Sequence, residues 1–333
     1  MWFESLFGFA EADWQSTQAQ FSLDGSNLRS RANGRSFEVG RFSTPNLAEL
    51  RAGARKHGRR GDVRVSHDAI GDVLELHSRS ENRGAMFQVA SQLNCLEFAG
   101  PNVVPEDGVT GYAHDATQGP ACSLAAAAGT VYRNYFAPVG DQIGQRADRQ
   151  IDTLADLSAA LGRPNQYFTV RNGYTASDAA RLAALDAALA HHDRKHLLDL
   201  VRIGVQSGVG VDFSRRFVEP GTPTTVSQAF CSAISCGYVR GVSLDAWTPL
   251  ATLVLDAAYE ATLWAAIHDA REGAGSGKVW LTFLGGGVFG NRPEWIGGAI
   301  RRALKAVAGF DLDVHVAHYG SVNPSMRQLV DGA

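Results

Sequence analysis

A glycine-rich segment near the C-terminus constrains the fold of this 333-residue chain more than any other stretch. Residues 278–296 read KVWLTFLGGGVFGNRPEWI, an apolar run that ends in three consecutive glycines. Asn291 can cap a following helix, Pro293 suits its first turn, and Glu294 stands three residues after the cap, as in a capping box. This order predicts a buried strand, a glycine turn and the N-terminus of a helix.

Such a turn is typical of sites that hold phosphate. Glycines let backbone N–H groups approach a ligand closely, and the N-terminus of a helix adds partial positive charge. Without a ligand, the same residues form only a tight connection between a strand and a helix. The sequence favours the phosphate site and leaves the second interpretation open.

The composition is typical of a globular protein with a substantial core. Hydrophobic residues make up 45% of the chain and charged residues 20%, and the length suits one large or two small domains. A net charge of −3 gives no general attraction to nucleic acid or to an anionic membrane. The acidic N-terminus does not resemble a cleaved signal, and no run of about 18 apolar residues predicts a membrane span.

The cysteine and histidine patterns do not predict a metal site. The four cysteines are scattered without CxxC pairs, at Cys95, Cys122, Cys231 and Cys236. This pattern fits reduced thiols in a cytoplasmic protein better than structural zinc. His191, His192 and His196 cluster near the end of a predicted helix but have no acidic partner at metal-binding spacing. We therefore predict no metal and no cofactor.

Strands and helices alternate from residue 61 onward, which predicts an α/β fold with a mixed, largely parallel sheet covered by helices on both faces. Strands are predicted at 63–73, 85–90, 200–211, 224–238, 279–284 and 311–320. Helices are predicted at 121–136, 151–161, 178–190, 245–273 and 294–308. The pattern divides the chain into an irregular N-terminal extension, residues 1–60, packed on a single domain, residues 61–333.

An insertion is predicted within that domain at about 140–198. It contains a hairpin whose turn is Asn172-Gly173, a pair typical of type I′ turns. Ser177 is the predicted cap of the helix that follows. Pro120 suits the first turn of the helix at 121–136.

The glycines of the C-terminal segment also spell GxGxxG at Gly285, Gly287 and Gly290, as in dinucleotide-binding proteins. The position argues against that fold, because only about twenty residues follow Asp313, too few for further βα units. The segment does not match a Walker loop either, since no Lys-Ser/Thr pair follows Gly290. The loop therefore serves a phosphate in another architecture.

The region 70–320 resembles a macrodomain. The segment 284–293, LGGGVFGNRP, is similar to the macrodomain loop Ser/Thr-Gly-x-Phe-Gly-x-Pro, with glycine in place of Ser/Thr. Its triple glycine also resembles that of poly(ADP-ribose) glycohydrolases, where it lies in a different, catalytic loop. Residues 88–94, QVASQLN, stand where macrodomains carry an Asn-rich run, with Ser91 and Gln92 replacing the usual Asn pair.

Further matches point to one subgroup of macrodomains. Residues 106–111, EDGVTG, stand where macrodomains have a glycine-rich catalytic loop, and the segments 117–120 and 132–136 add to the match. The combination is similar to a divergent subgroup of bacterial macrodomain hydrolases, including effectors that act on arginine-linked ADP-ribose. For an effector, the resemblance implies delivery to a host cytosol in place of a cytoplasmic location. The middle insertion has no counterpart.

The resemblance implies an α/β/α three-layer sandwich that binds ADP-ribose or an ADP-ribosylated protein. Two glycine-rich loops at strand ends can hold a pyrophosphate from both sides. Phe289 then either packs against the distal ribose or fills the core beneath the loop. The ligand-binding residues predicted on this basis are Asp72, Gln92, Asn94, Gly108, Thr110, Gly285, Gly286, Gly287, Val288, Phe289, Gly290 and Asn291.

Catalysis is expected from the polar loop at 100–120, because loops of this length in a compact domain are usually functional or disordered. Cleaving the glycosidic bond at C1″ of ribose requires a carboxylate, and often a second group that protonates the leaving atom. Asp107 and Asp115 are the predicted catalytic pair, and spacing does not say which is the base. The structural alternative is that both only support turns. His114 is a further candidate acid.

The predicted function is a metal-independent ADP-ribosylhydrolase acting on modified protein side chains, with arginine as one candidate linkage. Two alternatives stay open: a non-catalytic ADP-ribose reader, which needs the phosphate loops but neither aspartate, and a hydrolase of a free ADP-ribose derivative. A fourth interpretation is an unrelated α/β protein whose glycine turn is only structural.

Overall fold

The computed structural model describes residues 1–214, 216–217 and 224–332. The helices are α1 Trp2–Phe7, α2 Trp14–Ala19, α3 Leu47–His57, α4 Val73–Ser78, α5 Gln118–Ala125, α6 Ala127–Tyr135, α7 Ala155–Leu161, α8 Ala179–Ala190, α9 Arg194–Leu200, α10 Leu244–Glu272, α11 Pro293–Ala306 and α12 Pro324–Asp331. The strands are β1 Phe21–Asp24, β2 Asn27–Ser30, β3 Ser36–Glu38, β4 Arg41–Ser43, β5 Val63–Ile70, β6 Met86–Ala90, β7 Pro138–Val139, β8 Gln142–Ile143, β9 Thr169–Arg171, β10 Tyr174–Ala176, β11 Gly204–Gly210, β12 Phe213–Ser214, β13 Arg216–Phe217, β14 Thr225–Cys231, β15 Lys278–Leu281 and β16 Leu312–Tyr319.

A seven-stranded mixed sheet in the order β4-β11-β14-β6-β15-β16-β5 forms the centre of the molecule. Strands β14, β6, β15, β16 and β5 pair in parallel, whereas β11 is antiparallel to both of its neighbours. This confirms the predicted α/β fold with a mixed, largely parallel sheet. The carboxyl ends of the parallel strands lie at one edge of the sheet, where β6 ends at Ala90 and β14 at Cys231.

Helix α10 is the main helix of the core. Ser243 caps it by accepting the N–H of Ala246, and Gly273 ends it in a left-handed conformation with φ of 81°. Trp247 and Trp264 are fully buried along its length. The helix is long and apolar enough to span a membrane by length and composition, but 89% of its most apolar window is buried inside the protein. The helix therefore buries its hydrophobic surface by packing within the core.

The N-terminal region is more regular than predicted. Residues 1–60 form three helices and four strands, and β4 pairs with β11 at the edge of the central sheet. Phe3, Phe7 and Phe21 bury their rings in a cluster that also includes Tyr135 of α6. The expectation of irregular structure is wrong. Most of these elements are too short to show a periodic pattern, whereas α3 has 11 residues and a capping box formed by Asn46 and Glu49. The domain limits at 60 and 140–198 stay a prediction.

Other predicted elements are found with shifted boundaries. The hairpin turn is confirmed, since Asn172 and Gly173 both have positive φ, of 48° and 77°. The helix predicted at 121–136 is two helices that break at Ala126, because the Asp212 side chain accepts the N–H of Ala128 and starts α6 anew. The cap of α8 is Asp178, not Ser177.

Two adjacent glycines in α11 give a matched test of packing. A Cβ at Gly297 would lie 2.6 Å from the Cβ of Leu329 in α12, whereas a Cβ at Gly298 would meet nothing within 4 Å. We expect Gly297→Ala to lower the free energy of unfolding by about 1–3 kcal/mol, because α12 must shift. Gly298→Ala should raise it by up to about 1 kcal/mol, since alanine is the better helix former. Urea unfolding followed by circular dichroism measures both, and equal effects would contradict this packing.

Candidate active site

A cavity of about 440 Å³ lies at the carboxyl ends of β6, β14 and β15. Its walls come from residues 90–92 and 97–99 after β6, residues 115 and 117–120 around the start of α5, Tyr174 and Tyr238, residues 231 and 233 at the end of β14, and residues 282–285 and 287–289 after β15. Ligands of open parallel sheets bind outside the carboxyl ends of the strands, so this strand-end cavity is the candidate functional site.

The glycine loop closes one side of the strand-end cavity. Gly285 has φ of 70°, and a Cβ there would lie 2.6 Å from the Asn291 Nδ2 atom, so no other residue fits. The N–H of Asn291 donates to the Gly285 carbonyl at 2.9 Å, and its side chain donates to the Ile234 carbonyl at 2.8 Å. Asn291 therefore fixes the loop and does not cap α11. The cap is Arg292, without a side-chain bond, and Pro293 is in the first turn as predicted.

Part of this loop presents free backbone donors. The N–H groups of Gly287, Val288 and Phe289 have no hydrogen-bond partner in the described part of the chain, whereas those of Gly286 and Gly290 are bonded within the loop. The Val288 residue is 71% exposed. Successive free amides at a strand end form a concave anion site. The loop thus has the local geometry expected of a phosphate site.

Three aromatic rings form the next part of the wall. The Phe289 ring centroid lies 5.5 Å from that of Tyr174 and 5.6 Å from that of Tyr238. Tyr174 donates its hydroxyl to the Phe98 carbonyl at 2.6 Å. Phe289 both packs against the main core and lines the cavity. Its contact with a ribose stays a prediction. Sequence reasoning missed both tyrosines, although the Asn-Gly turn directly before Tyr174 marks the hairpin that carries it.

Glu97 is a buried carboxyl in the cavity wall that sequence reasoning did not single out. The residue is 2% exposed, its Oε1 accepts from the Ser123 hydroxyl at 3.4 Å, and its Oε2 has no partner in the described structure. Burial raises the pKa of Glu97 to about 8, although nearby Arg133 opposes the shift. The carboxyl therefore holds its proton at neutral pH. It was missed because it stands in the apolar run CLEF.

A buried arginine lies behind Glu97. The Arg133 guanidinium donates to the Cys95 carbonyl, the Gln206 side chain and the hydroxyls of Ser123 and Thr130, at 2.8–3.1 Å. Burial lowers its pKa to about 10, so it stays charged at neutral pH. Ser123 bridges Arg133 and Glu97. The arginine thus brings positive charge next to the acid without a direct ion pair.

The start of α5 brings Asp115 to the same cavity. The Gln118 side chain accepts the N–H of Ala90 at 2.9 Å and donates to the Gln88 carbonyl at 2.8 Å, which pins α5 to the end of β6. Asp115 is half-buried and accepts the N–H of Thr117 at 2.9 Å through Oδ1. The structure therefore brings Asp115, one of the predicted catalytic residues, to the cavity bordered by the glycine loop.

Asp107, Gly108 and Thr110 lie elsewhere. Asp107 accepts the N–H of Val104 at 2.9 Å and lines a smaller cavity with residues of the N-terminal segment. The N–H groups of Val109 and Thr110 donate to the carboxylate of Glu11, at 2.9 and 2.6 Å. An anion from the chain itself thus occupies this part of the loop. The expectation that Asp107 and Asp115 meet at one ribose does not fit this geometry, because they line different cavities. Catalytic roles stay predictions, and the geometry favours Asp115 over Asp107.

The remaining predicted ligand residues are engaged in structural bonds. Gln92 lines the cavity, but its amide bonds both the N–H and the carbonyl of Phe98. Asn94 is fully buried and holds the turn by accepting the N–H of Leu96. Asp72 follows edge strand β5 and caps α4 by accepting the N–H of Leu74. Ligand contact by these residues stays a prediction, with Gln92 the one whose side chain reaches the cavity.

Within residues 1–214, 216–217 and 224–332, no three His, Cys, Asp or Glu side chains are grouped so as to hold a metal ion. The four cysteines are buried free thiols. Metal independence of any reaction at this site stays a prediction.

Comparisons with known proteins find no matching family model and no matching curated protein. Among solved structures, the chain is similar to poly(ADP-ribose) glycohydrolase from Deinococcus radiodurans in complex with ADP-ribose, at 13% identity and a TM-score of 0.45, over 87% of this chain and 90% of that one. It is also similar to poly(ADP-ribose) glycohydrolase from Thermomonospora curvata bound to the inhibitor ADP-HPD, at 15% identity and a TM-score of 0.44, over 91% of each chain. Similarities at this level do not assign a function.

The Glu11 contact predicts a stability effect at a distance from the cavity. Glu11→Gln removes the negative charge that accepts two backbone N–H groups and the Tyr135 hydroxyl. We expect the free energy of unfolding to fall by about 1–3 kcal/mol, with faster hydrogen exchange at Val109 and Thr110. Glu4→Gln is the matched control, because exposed Glu4 lines the same small cavity. Equal effects of the two variants would contradict the assigned contact.

The raised pKa of Glu97 predicts a pH dependence of stability. The pKa is about 8 in the folded protein against 4.5 in the unfolded chain, so the folded state holds this proton more tightly. The stability contributed by the protonated form is complete below the unfolded pKa and is lost as the pH rises through the folded pKa. Glu97→Gln does not titrate, so its stability relative to wild type should increase from about pH 5 to about pH 9. Chemical unfolding across this range measures the difference, and a constant difference would show that Glu97 is not shifted.

Proposed function

We propose that this protein is a macrodomain-like hydrolase that binds ADP-ribose and cleaves the glycosidic bond between its distal ribose and a modified side chain. One observation carries the proposal: a single strand-end cavity combines free loop amides at Gly287–Phe289 with the carboxyl groups of Glu97 and Asp115. The loop amides suit a pyrophosphate, and the two carboxyl groups suit glycoside hydrolysis. The resemblance of residues 284–293 to a macrodomain loop favours ADP-ribose as the nucleotide.

The binding part of the proposal follows from the loop. The amides of Gly287, Val288 and Phe289 would hold the pyrophosphate through backbone N–H groups, which need no cationic side chain. The rings of Phe289, Tyr174 and Tyr238 give the adjoining ribose an apolar wall. The cavity, at about 440 Å³, has a volume typical of small-molecule sites.

The chemical part depends on two carboxyl groups in different environments. Buried Glu97 holds a proton at neutral pH and can give it to the leaving atom as the C1″ bond breaks. Asp115 is half-buried and can take a proton from the water that adds at C1″. One acid and one base on the same ribose meet the requirement of glycoside hydrolysis. Rates should accordingly fall as the pH rises above about 8, because Glu97 then loses its proton.

Titration calorimetry with ADP-ribose tests binding. We expect saturable binding, and Phe289→Ala should weaken the affinity of the strand-end cavity by about tenfold through loss of the ring wall. Tyr319→Ala is the matched control, because that ring is 91% exposed and lies outside the cavity. Absence of binding at millimolar ligand would overturn the proposal.

Release of ADP-ribose from arginine-, glutamate- and serine-modified proteins tests catalysis. Arginine-linked ADP-ribose comes first, because the sequence resembles hydrolases that act on it. Glu97→Gln and Asp115→Asn should each lower the rate by about 100-fold or more while ADP-ribose still binds. Asp107→Asn should keep most of the activity, because its carboxylate lines a different cavity. If the wild-type protein binds ADP-ribose but releases none from any linkage, the protein is a reader.

A further inference from the structure

A second cavity lies among the helices α3, α9, α10 and α11. Its volume is about 740 Å³, and it shares no lining residue with the strand-end cavity in the described part of the chain. Six cationic side chains line it: Arg51, Arg55, Lys195, Arg301, Arg302 and Lys305. We call it the basic cavity. Glu260 is the one acidic residue among its described lining residues.

Two of the six cations are committed to carboxylates. Arg51 pairs with buried Glu260 at 2.7 Å and with Asp199. Arg302 lies 3.5 Å from Asp256 and 3.8 Å from Glu260. These ion pairs neutralise Arg51 and Arg302, but they leave the other four cationic side chains without a carboxylate partner among the described residues.

The other four cations, Arg55, Lys195, Arg301 and Lys305, have no ion pair within the described residues. Arg55, Lys195 and Lys305 are exposed, and Arg301 is half-buried, donating to the Leu329 carbonyl at 3.0 Å. The whole chain carries a net charge of −3, so this concentration of positive charge is local. Unpaired like charges repel one another in the absence of an anion.

A glycine in the wall provides an independent observation. Gly298 lies inside α11, four residues before Arg302 and seven before Lys305, on the side that lines the basic cavity. Glycine weakens a helix interior, and here packing does not require it, because a Cβ would meet nothing within 4 Å. Adjacent Gly297, by contrast, is explained by its contact with Leu329. The open space above Gly298 lets a ligand approach the backbone of α11.

We propose that the basic cavity binds a small molecule that carries two or more phosphate groups. Unpaired lysine and arginine side chains recognise phosphate oxygens through charge-assisted hydrogen bonds. A concave site between helices suits a compact ligand better than an extended nucleic acid strand. This site is separate from the proposed ADP-ribose site and does not depend on it.

Inorganic pyrophosphate is the probe for this site. Calorimetry at about 0.15 M salt should show saturable binding in the wild-type protein that weakens steeply as salt is raised, which distinguishes it from binding to the uncharged backbone amides of the strand-end cavity. Lys195→Gln and Lys305→Gln should each weaken binding by about fivefold to tenfold, since each removes a charge-assisted contact from an exposed, unpaired side chain. Lys56→Gln is the matched control, because Lys56 is exposed on α3 but does not line the cavity, and it should bind as wild type does.

Gly298→Leu separates a built site from a diffuse basic surface. It keeps every charge but fills the open space above α11, so pyrophosphate binding should be lost while the melting temperature is maintained or raised. Undiminished binding to Gly298→Leu, or to both lysine variants, would overturn the proposal. Tighter binding of a single-stranded oligonucleotide that pyrophosphate cannot displace would also overturn it, in favour of a nucleic acid surface.

Discussion

The buried guanidinium of Arg133 is the interaction on which the candidate site depends. It joins the turn after β6 at Cys95, the helix α5 at Ser123, and the strand β11 at Gln206, and it stacks over the Phe230 ring of β14 at 3.7 Å. A charge buried this deeply is tolerated only when its donors are satisfied. Because the partners come from four separate elements, satisfying Arg133 fixes the turn that carries Glu97.

This arrangement explains how a neutral acid is held next to a positive charge. A direct ion pair with Arg133 would favour the ionised form of Glu97 and lower its pKa. The intervening Ser123 hydroxyl keeps the two groups apart, and burial then dominates and raises the pKa of Glu97 to about 8. The unpartnered Oε2 atom lowers the stability of the fold. Such costs concentrate at functional sites, where the group is available to a ligand.

Local signals in the sequence were sufficient for some features and not for others. The turn at Asn172-Gly173 and the helix α10 follow from short-range chemistry, and both are found. The glycine loop was placed correctly because its strand, glycines and Pro293 are contiguous. Its cap was misassigned, because the Asn291 side chain bonds Ile234, a residue that is distant in sequence.

The catalytic candidates show the same limit. Asp107 and Asp115 stand in one loop and are chemically identical, and tertiary contacts of that loop, such as the one with Glu11, place them in different cavities. Glu97 follows Leu96 in an apolar run, where a single sequence gives no sign that a carboxyl faces a cavity. Residues whose role depends on which distant segment packs against them cannot be identified from local pattern.

The two cavities differ in the charge of their lining residues, and this difference affects which ligands each can bind. The described lining of the strand-end cavity contains no Lys, Arg or His, so the phosphate of the proposed ligand would be held there without a cationic side chain. An ionised Glu97 would repel that phosphate, and a bound phosphate in turn favours the protonated form of Glu97. In the proposed function, ligand binding and retention of the proton on Glu97 are therefore coupled at this site. Binding through fixed dipoles is screened less by salt than binding to exposed lysines, so affinity for ADP-ribose should depend on salt far less than affinity in the basic cavity does.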